Sequence, residues 1–210
     1  MVLHRNRSLL LGLGLAVALV LAVALPATAS AVSTLTGEKF NASGGPLGVA
    51  CQTDGPYSYT ASGTATGPYP GTFTETGSGT VTAGPQGVSG SMTLSASFTI
   101  HSGDFLITGS KSGGVSGPAC QDTSGNTGGS VNGLSYRATI HTSTGNYADQ
   151  GTSNALVFTG PSGTSLLEDF ASSLFSPTSK DQCKNNGWKA FPQFKNQGEC
   201  VSFVERQRQT

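Results

Sequence analysis

The strictest pattern in the chain runs from Met92 to Ile100. Met92, Leu94, Ala96, Phe98 and Ile100 alternate with Thr93, Ser95, Ser97 and Thr99 without a miss. Successive side chains of a strand point to opposite faces, so this stretch is a strand with one buried and one wet face. Such a strand belongs to an antiparallel sheet, because parallel sheets are covered on both sides. Tyr57, Tyr59 and Ala61 repeat the pattern against Ser58 and Thr60, and Tyr136, Ala138 and Ile140 repeat it against Arg137 and Thr139. Phe105 to Thr108 and Ala155 to Thr159 read as further strands. Glycine-rich punctuation separates them at Gly67-Pro68-Tyr69-Pro70-Gly71, Gly84-Pro85, Ser102-Gly103-Asp104 and Gly125 to Ser130. Short strands with turns at this spacing predict an all-β fold, an antiparallel barrel or a sandwich. Interior glycines, which bends and corners require, tilt the reading toward the barrel.

A short repeat lies inside this β-rich part. Gly63-Thr64-Ala65-Thr66, Gly71-Thr72-Phe73-Thr74 and Gly79-Thr80-Val81-Thr82 recur every eight residues. Paired threonines on a flat sheet can order water, which raises an ice-binding surface as a candidate. The period is too short for a solenoid coil and the pattern stops after three copies. Threonine on the wet face of ordinary strands accounts for it.

The two flanks differ from this body. Arg5 and Arg7 precede an apolar run to Leu25, Pro26 breaks it, and Ala27-Thr28-Ala29 supplies small residues for cleavage. Residues 1–29 therefore read as a signal peptide, with cleavage after Ala29 or, second, after Ala31. An uncleaved anchor is the competing reading, since the run approaches spanning length. No second apolar run follows, so no membrane span is expected after cleavage. Residues 30–164 form the antiparallel β domain. In 165–176, Leu166, Leu167, Phe170, Leu174 and Phe175 fall at roughly helical spacing. That segment is either a short amphipathic helix or the end of a last strand. Pro177 opens a linker and 177–210 forms a C-terminal module. Ser179 is placed to cap a helix through Cys183, and Gly187 to interrupt or end it.

Charge separates body from tail. Residues 30–176 carry three bases (Lys39, Lys111, Arg137) against eight acids, net −5, and residues 177–210 carry six bases against three acids, net +3. An acidic body is a poor nucleic-acid partner. The basic tail holds Trp188, Phe191, Phe194 and Phe203 in a segment too short for a core of its own. It needs a covalent staple or a surface to dock on. Four cysteines, Cys51, Cys120, Cys183 and Cys200, allow three pairings. Domain logic favours Cys51 with Cys120 in the body and Cys183 with Cys200 in the tail. Lys184, Lys189 and Lys195 would then ring an aromatic patch of Trp188, Phe191 and Phe194. This patch faces either the acidic body or an anionic cell-envelope polymer.

Catalytic phrases are missing from the sequence. His101 and His141 sit in the similar phrases Phe98-Thr99-Ile100-His101-Ser102 and Ala138-Thr139-Ile140-His141-Thr142. They could share a rim, but no third ligand phrase accompanies them. No G-x-S-x-G elbow, H-E-x-x-H, P-loop or dinucleotide fingerprint occurs. The eight body acids read by default as scattered on the surface. No catalytic residue, metal site or cofactor is assigned.

The tail wording Asp181-Gln182-Cys183-Lys184-Asn185-Asn186-Gly187-Trp188, continuing through Phe191 and Phe194-Lys195-Asn196-Gln197-Gly198-Glu199-Cys200-Val201-Ser202-Phe203, resembles a C-terminal block on secreted actinobacterial β-rich proteins. Those proteins have no assigned activity, so the resemblance implies a kind of protein and carries over no functional residue. Their tails often read K-x-G-G-W, where this chain has Asn186 in place of the first glycine. Asn tolerates positive φ, so the turn is expected to survive. Three function classes follow: a non-catalytic extracellular or envelope-associated binding module, a barrel carrying a small apolar ligand, and, last, an enzyme.

Overall fold

A computed structural model describes residues 32–46, 49, 53–82, 90–116, 119–143, 145–191 and 193–207. The signal segment, Cys51 and the Gly84-Pro85 turn lie outside the described residues. Nine strands run in chain order: β1 Lys39–Ala42, β2 Gly55–Thr66, β3 Gly71–Thr82, β4 Ser91–Ser102, β5 Phe105–Ser116, β6 Ala119–Gln121, β7 Thr127–Thr142, β8 Gly145–Gly160 and β9 Gly163–Pro177. Their order in the sheet is β5-β4-β3-β2-β1-β9-β8-β7-β6, and a further β5–β7 pairing closes the sheet on itself. Every named pairing is antiparallel. The result is an up-and-down barrel of eight strands, with the short β6 hung on the far end of β7. The barrel, not the sandwich, is the fold, and closure removes the exposed strand edges that an open sheet must protect.

Period two decides what fills it. Phe73, Ile100, Ile107 and Ile140 stand side by side across β3, β4, β5 and β7 and all point inward. An eight-stranded barrel is just wide enough for such side chains to fill. Interior glycines make room for rings: a Cβ on Gly109 would lie 2.3 Å from the Phe98 ring, and one on Gly77 would lie 2.6 Å from the Tyr59 ring. The outward face is almost wholly hydroxyl. Thr60, Thr76, Ser97 and Ser110 form one cross-strand row, and Ser62, Thr74, Thr99, Thr108 and Thr139 form the next. This is the reverse of the apolar outer belt that lipid demands of a barrel. The threonines of the short repeat lie on this wet face, while Ala65, Phe73 and Val81 between them are buried.

Residues 165–176 belong to strand β9. Leu166, Glu168 and Phe170 alternate inward against Leu167, Asp169 and Ala171, so the helical reading of this segment is wrong. Of the apolar residues that mimicked a helical stripe, Leu166 and Phe170 share one inward row, Phe175 is buried beyond a register shift, and Leu167 is exposed. The barrel therefore extends past residue 164 to Pro177. Beyond it come two 3₁₀ turns, Lys180–Cys183 and Gly187–Ala190, and one helix, α1 Gln197–Gln207. Among the described residues, no helix is long and apolar enough to cross a membrane.

Candidate functional site

The tail is stapled and docked. Cys183 and Cys200 form a disulfide with Cα atoms 5.7 Å apart, joining the first 3₁₀ turn to α1. Lys180 Nζ and Glu205 Oε1 add an ion pair at 2.5 Å between the same two elements. Asn196 caps α1 by accepting the Glu199 amide at 2.9 Å. Ser179 precedes the 3₁₀ turn and donates its amide to Gln182 Oε1 at 3.0 Å. Asn186 sits at φ 67° and ψ 4°, the left-handed conformation that the Asn-for-Gly exchange requires. At Gly187 a Cβ would lie 2.2 Å from the Gln182 carbonyl oxygen, so only glycine fits there.

Phe191 is the anchor. It is 1% exposed and packs on Phe175 of β9 and Tyr147 of β8, with ring centroids 5.5 and 6.1 Å away. Tyr147 in turn pairs with Ile140, so the tail extends the inward row of the barrel wall. Phe194 lies between Phe191 and Phe203. Gln193 donates to the Phe175 carbonyl at 2.5 Å and Thr178 to the Asn146 carbonyl at 2.6 Å. Trp188 is half-buried, with the Lys189 ammonium 5.9 Å from its ring. Lys184, Lys189 and Lys195 are exposed, and Lys184 pairs with Asp181 at 2.7 Å. The aromatic half of the predicted patch is thus turned against the barrel and the lysine half outward. Cys120 is disulfide-bonded, while Cys51, the partner assigned to it, lies outside the described residues.

The histidines do not share a site. Leu106 of β5 stands between them in register, and His141 is engaged with Thr108 Oγ1 at 3.1 Å and Asn146 Oδ1 at 3.0 Å. Among the described residues, no group of three His, Cys, Asp or Glu is arranged to hold a metal.

A second constellation lies in the barrel interior. Of the eight body acids, Glu38, Glu75, Asp149 and Glu168 are buried, which overturns their reading as surface charges. Lys111 of β5 places its ammonium between Glu75 of β3, at 2.7 Å, and Glu168 of β9, in direct contact. All three side chains are 0% exposed. The Tyr59 hydroxyl donates to the other Glu75 oxygen at 2.5 Å. Phe40, Phe98 and Phe170 enclose the ammonium, with ring centroids 5.9, 6.0 and 5.8 Å from Nζ. Burial pushes the Glu168 carboxyl up to about 7, the Lys111 charge opposing and the Glu75 charge adding to the rise. The buried Ser153 hydroxyl stands beside the Glu168 carboxyl and, with Lys111, holds part of that rise down.

A third group closes one end of the barrel. Residues 32–38 cross that end, with Leu35 fully buried and its amide donating to Asp149 Oδ2 at 2.9 Å. Tyr136 donates to the same oxygen at 3.0 Å and Ser172 to the other. Glu38 accepts the Tyr69 amide at 2.8 Å. Burial raises both carboxyls above their ordinary values, and these hydrogen bonds only partly offset it.

Strand parity could have found the buried acids. Glu75 shares the phase of Phe73 and Gly77, Glu168 that of Leu166 and Phe170, and Lys111 is out of phase with the wet Thr108, Ser110 and Ser112. No protein-family model matches the chain, and neither a curated protein nor a solved structure matches it. One surface groove of about 480 Å³ runs past Ser110, Lys111, Ser112, Tyr136 and Arg137, and the Lys111 side chain is 0% exposed.

Proposed function

We propose that this is an exported, non-catalytic extracellular or envelope-associated binding module: a rigid barrel that carries a basic tail. The observation that supports it is the interior. Phe, Ile and Tyr side chains and the Lys111 cluster line the barrel interior, and the three side chains of that cluster are 0% exposed. A carrier needs an open hollow and an enzyme needs its ionisable groups within reach of substrate, and buried rings with a sealed ionic cluster favour neither. The disulfides fit an oxidising compartment, and the signal segment and the actinobacterial resemblance point the same way.

The partner we favour is an anionic cell-envelope polymer, met by the outward Lys184, Lys189 and Lys195. Co-sedimentation of the mature protein with purified envelope polymer tests this. Binding should weaken as salt rises, since exposed charges are screened, and Lys184→Ser, Lys189→Ser and Lys195→Ser together should abolish it with the barrel intact. Binding unchanged by the triple variant would remove the lysine rim from the account. Intact mass of the protein from culture medium should begin at Ser30 or Val32. Recovery only from membranes at full length would contradict export.

A further inference from the structure

We infer that Lys111 and Glu168 are joined by an amide bond that the folded barrel makes by itself, with Glu75 as the proton carrier. Three features of the interior lead there. The amine nitrogen and the carboxyl it would attack are in direct contact, on strands β5 and β9, which are not neighbours in the sheet. A second carboxylate, Glu75, touches the same nitrogen at 2.7 Å, and Tyr59 holds it in place at 2.5 Å. The site is dry: three aromatic rings surround the nitrogen, and all three charged side chains are fully buried.

The chemistry balances without an oxidant or any co-reactant. In the starting state Lys111 is an ammonium, Glu75 a carboxylate and Glu168 a protonated acid. Burial supports that last assignment by favouring the neutral carboxyl. Lys111 gives one proton to Glu75, since charges isolated from water are unfavourable against the neutral pair. The free amine attacks Cδ of Glu168. Glu75 then passes its proton to the Glu168 hydroxyl and takes another from the nitrogen. The C–O bond breaks and one water leaves. An amide N–H, an amide carbonyl and a protonated Glu75 remain, with total charge unchanged. Glu75 can then donate to the new carbonyl while still accepting from Tyr59.

The roles of the two acids follow from their partners. Glu75 is pinned at both oxygens, by Tyr59 and by Lys111, as a proton relay must be. Glu168 meets Lys111 through one oxygen, with the buried Ser153 hydroxyl beside its carboxyl, so it is held less firmly than Glu75 and can change geometry during attack. In the unfolded chain the two residues are separated by 57 positions, and no aromatic enclosure excludes water. The reaction therefore awaits folding. The product replaces buried charges with a neutral group and expels water from a site that does not readmit it.

Mass spectrometry of the full chain after disulfide reduction tests this. The folded protein should be lighter than its sequence by one water. Trypsin should fail to cut after Lys111, and fragmentation should show a branched peptide joining the Lys111 and Glu168 segments. Glu168→Ala and Glu75→Gln should each restore the full mass. A folded wild-type protein at full mass overturns the proposal whether or not the variants fold. A branch from Lys111 to Glu75 overturns the assignment of Glu168, and water loss that persists in a folded Glu75→Gln protein overturns the relay.

Discussion

In the barrel wall, Phe73, Ile100, Ile107 and Ile140 come from four strands, meet in one register row, and are all at or below 1% exposure. Among the described residues of the tail, hydrophobic burial that complete is found at Phe191, Val204 and the two half-cystines. The barrel holds its shape through side chains distant in sequence, among them Lys111, Glu75 and Glu168 locked together in its interior. The tail relies on one covalent link, one anchoring ring, one exposed ion pair and two left-handed asparagines, Asn185 and Asn186. Dependence is consequently one-sided. The tail rests on Tyr147 and Phe175 of the barrel, whereas the row of Phe73, Ile100, Ile107 and Ile140 is built from barrel strands alone, so we expect the barrel to keep its core without the tail.

The largest test of that asymmetry is Lys111→Met. It leaves Glu75 and Glu168 buried without the Lys111 nitrogen that both contact, and should cost at least the loss for a broken buried pair, about 3–5 kcal/mol, with the inferred amide lost as well. Urea unfolding followed by β-sheet circular dichroism should show the loss, and Trp188 fluorescence should change in the same transition, because the docking surface goes with the barrel. A Trp188 transition that stays behind would show a tail able to stand alone. Next is replacement of Cys183 and Cys200 by serine, which removes a link across 17 positions and should cost the tail about 3 kcal/mol. Here Trp188 emission should shift toward free tryptophan and proteases should trim the tail, with the sheet signal unmoved. A shared drop in both signals would contradict the one-sided dependence.

How much of this was legible in the sequence depended on whether a residue's neighbours in the chain reveal its surroundings. The alternation at Met92–Ile100 forces a face, and the tail cysteines crowd a segment with no other means of ordering, so the antiparallel sheet and the staple could both be read in advance, while barrel against sandwich rested on the interior glycines and stayed open. Leu166, Leu167, Phe170, Leu174 and Phe175 gave the wrong periodicity because Leu167 is apolar yet outward. Glu75, Lys111 and Glu168 were missed because charge outweighed parity. A lone acid between Phe73 and Gly77 reads as solvent-facing unless its partner is known, and that partner lies on another strand 36 positions away.

Smaller effects sharpen the comparison. Asn186→Ala should cost the tail about 1–2 kcal/mol, the penalty of a left-handed residue with a Cβ and no compensating side-chain amide, while Asn186→Gly should be neutral or better. Thermal melts read at Trp188 will separate the two. Mild acid should move the regions in opposite directions. Asp149 and Glu38 have carboxyls raised by burial, so the folded barrel holds more protons than the unfolded chain between the ordinary values and the raised ones. Stability of that end should therefore rise as pH falls through the window. Glu205 is lowered by Lys180, so its contribution is present above the ordinary glutamate range and is lost as pH falls through the lowered value. Hydrogen exchange near pH 4 against pH 7 should show residues 35–38 better protected and α1 less so. Parallel changes in both would refute the assignment.

The inward burial of charge also governs how anything meets this molecule. Of the body's three bases and eight acids, Lys111, Glu38, Glu75, Asp149 and Glu168 are withdrawn from the surface. A partner approaching the hydroxyl wall therefore encounters almost no long-range field. Its encounter rate should sit in the unsteered range, about 10⁵–10⁶ M⁻¹s⁻¹, and barely respond to ionic strength. A partner approaching the lysine rim is drawn in, and salt slows it. Stopped-flow association at two salt concentrations can thus tell which side of the molecule a ligand uses before any complex is crystallised.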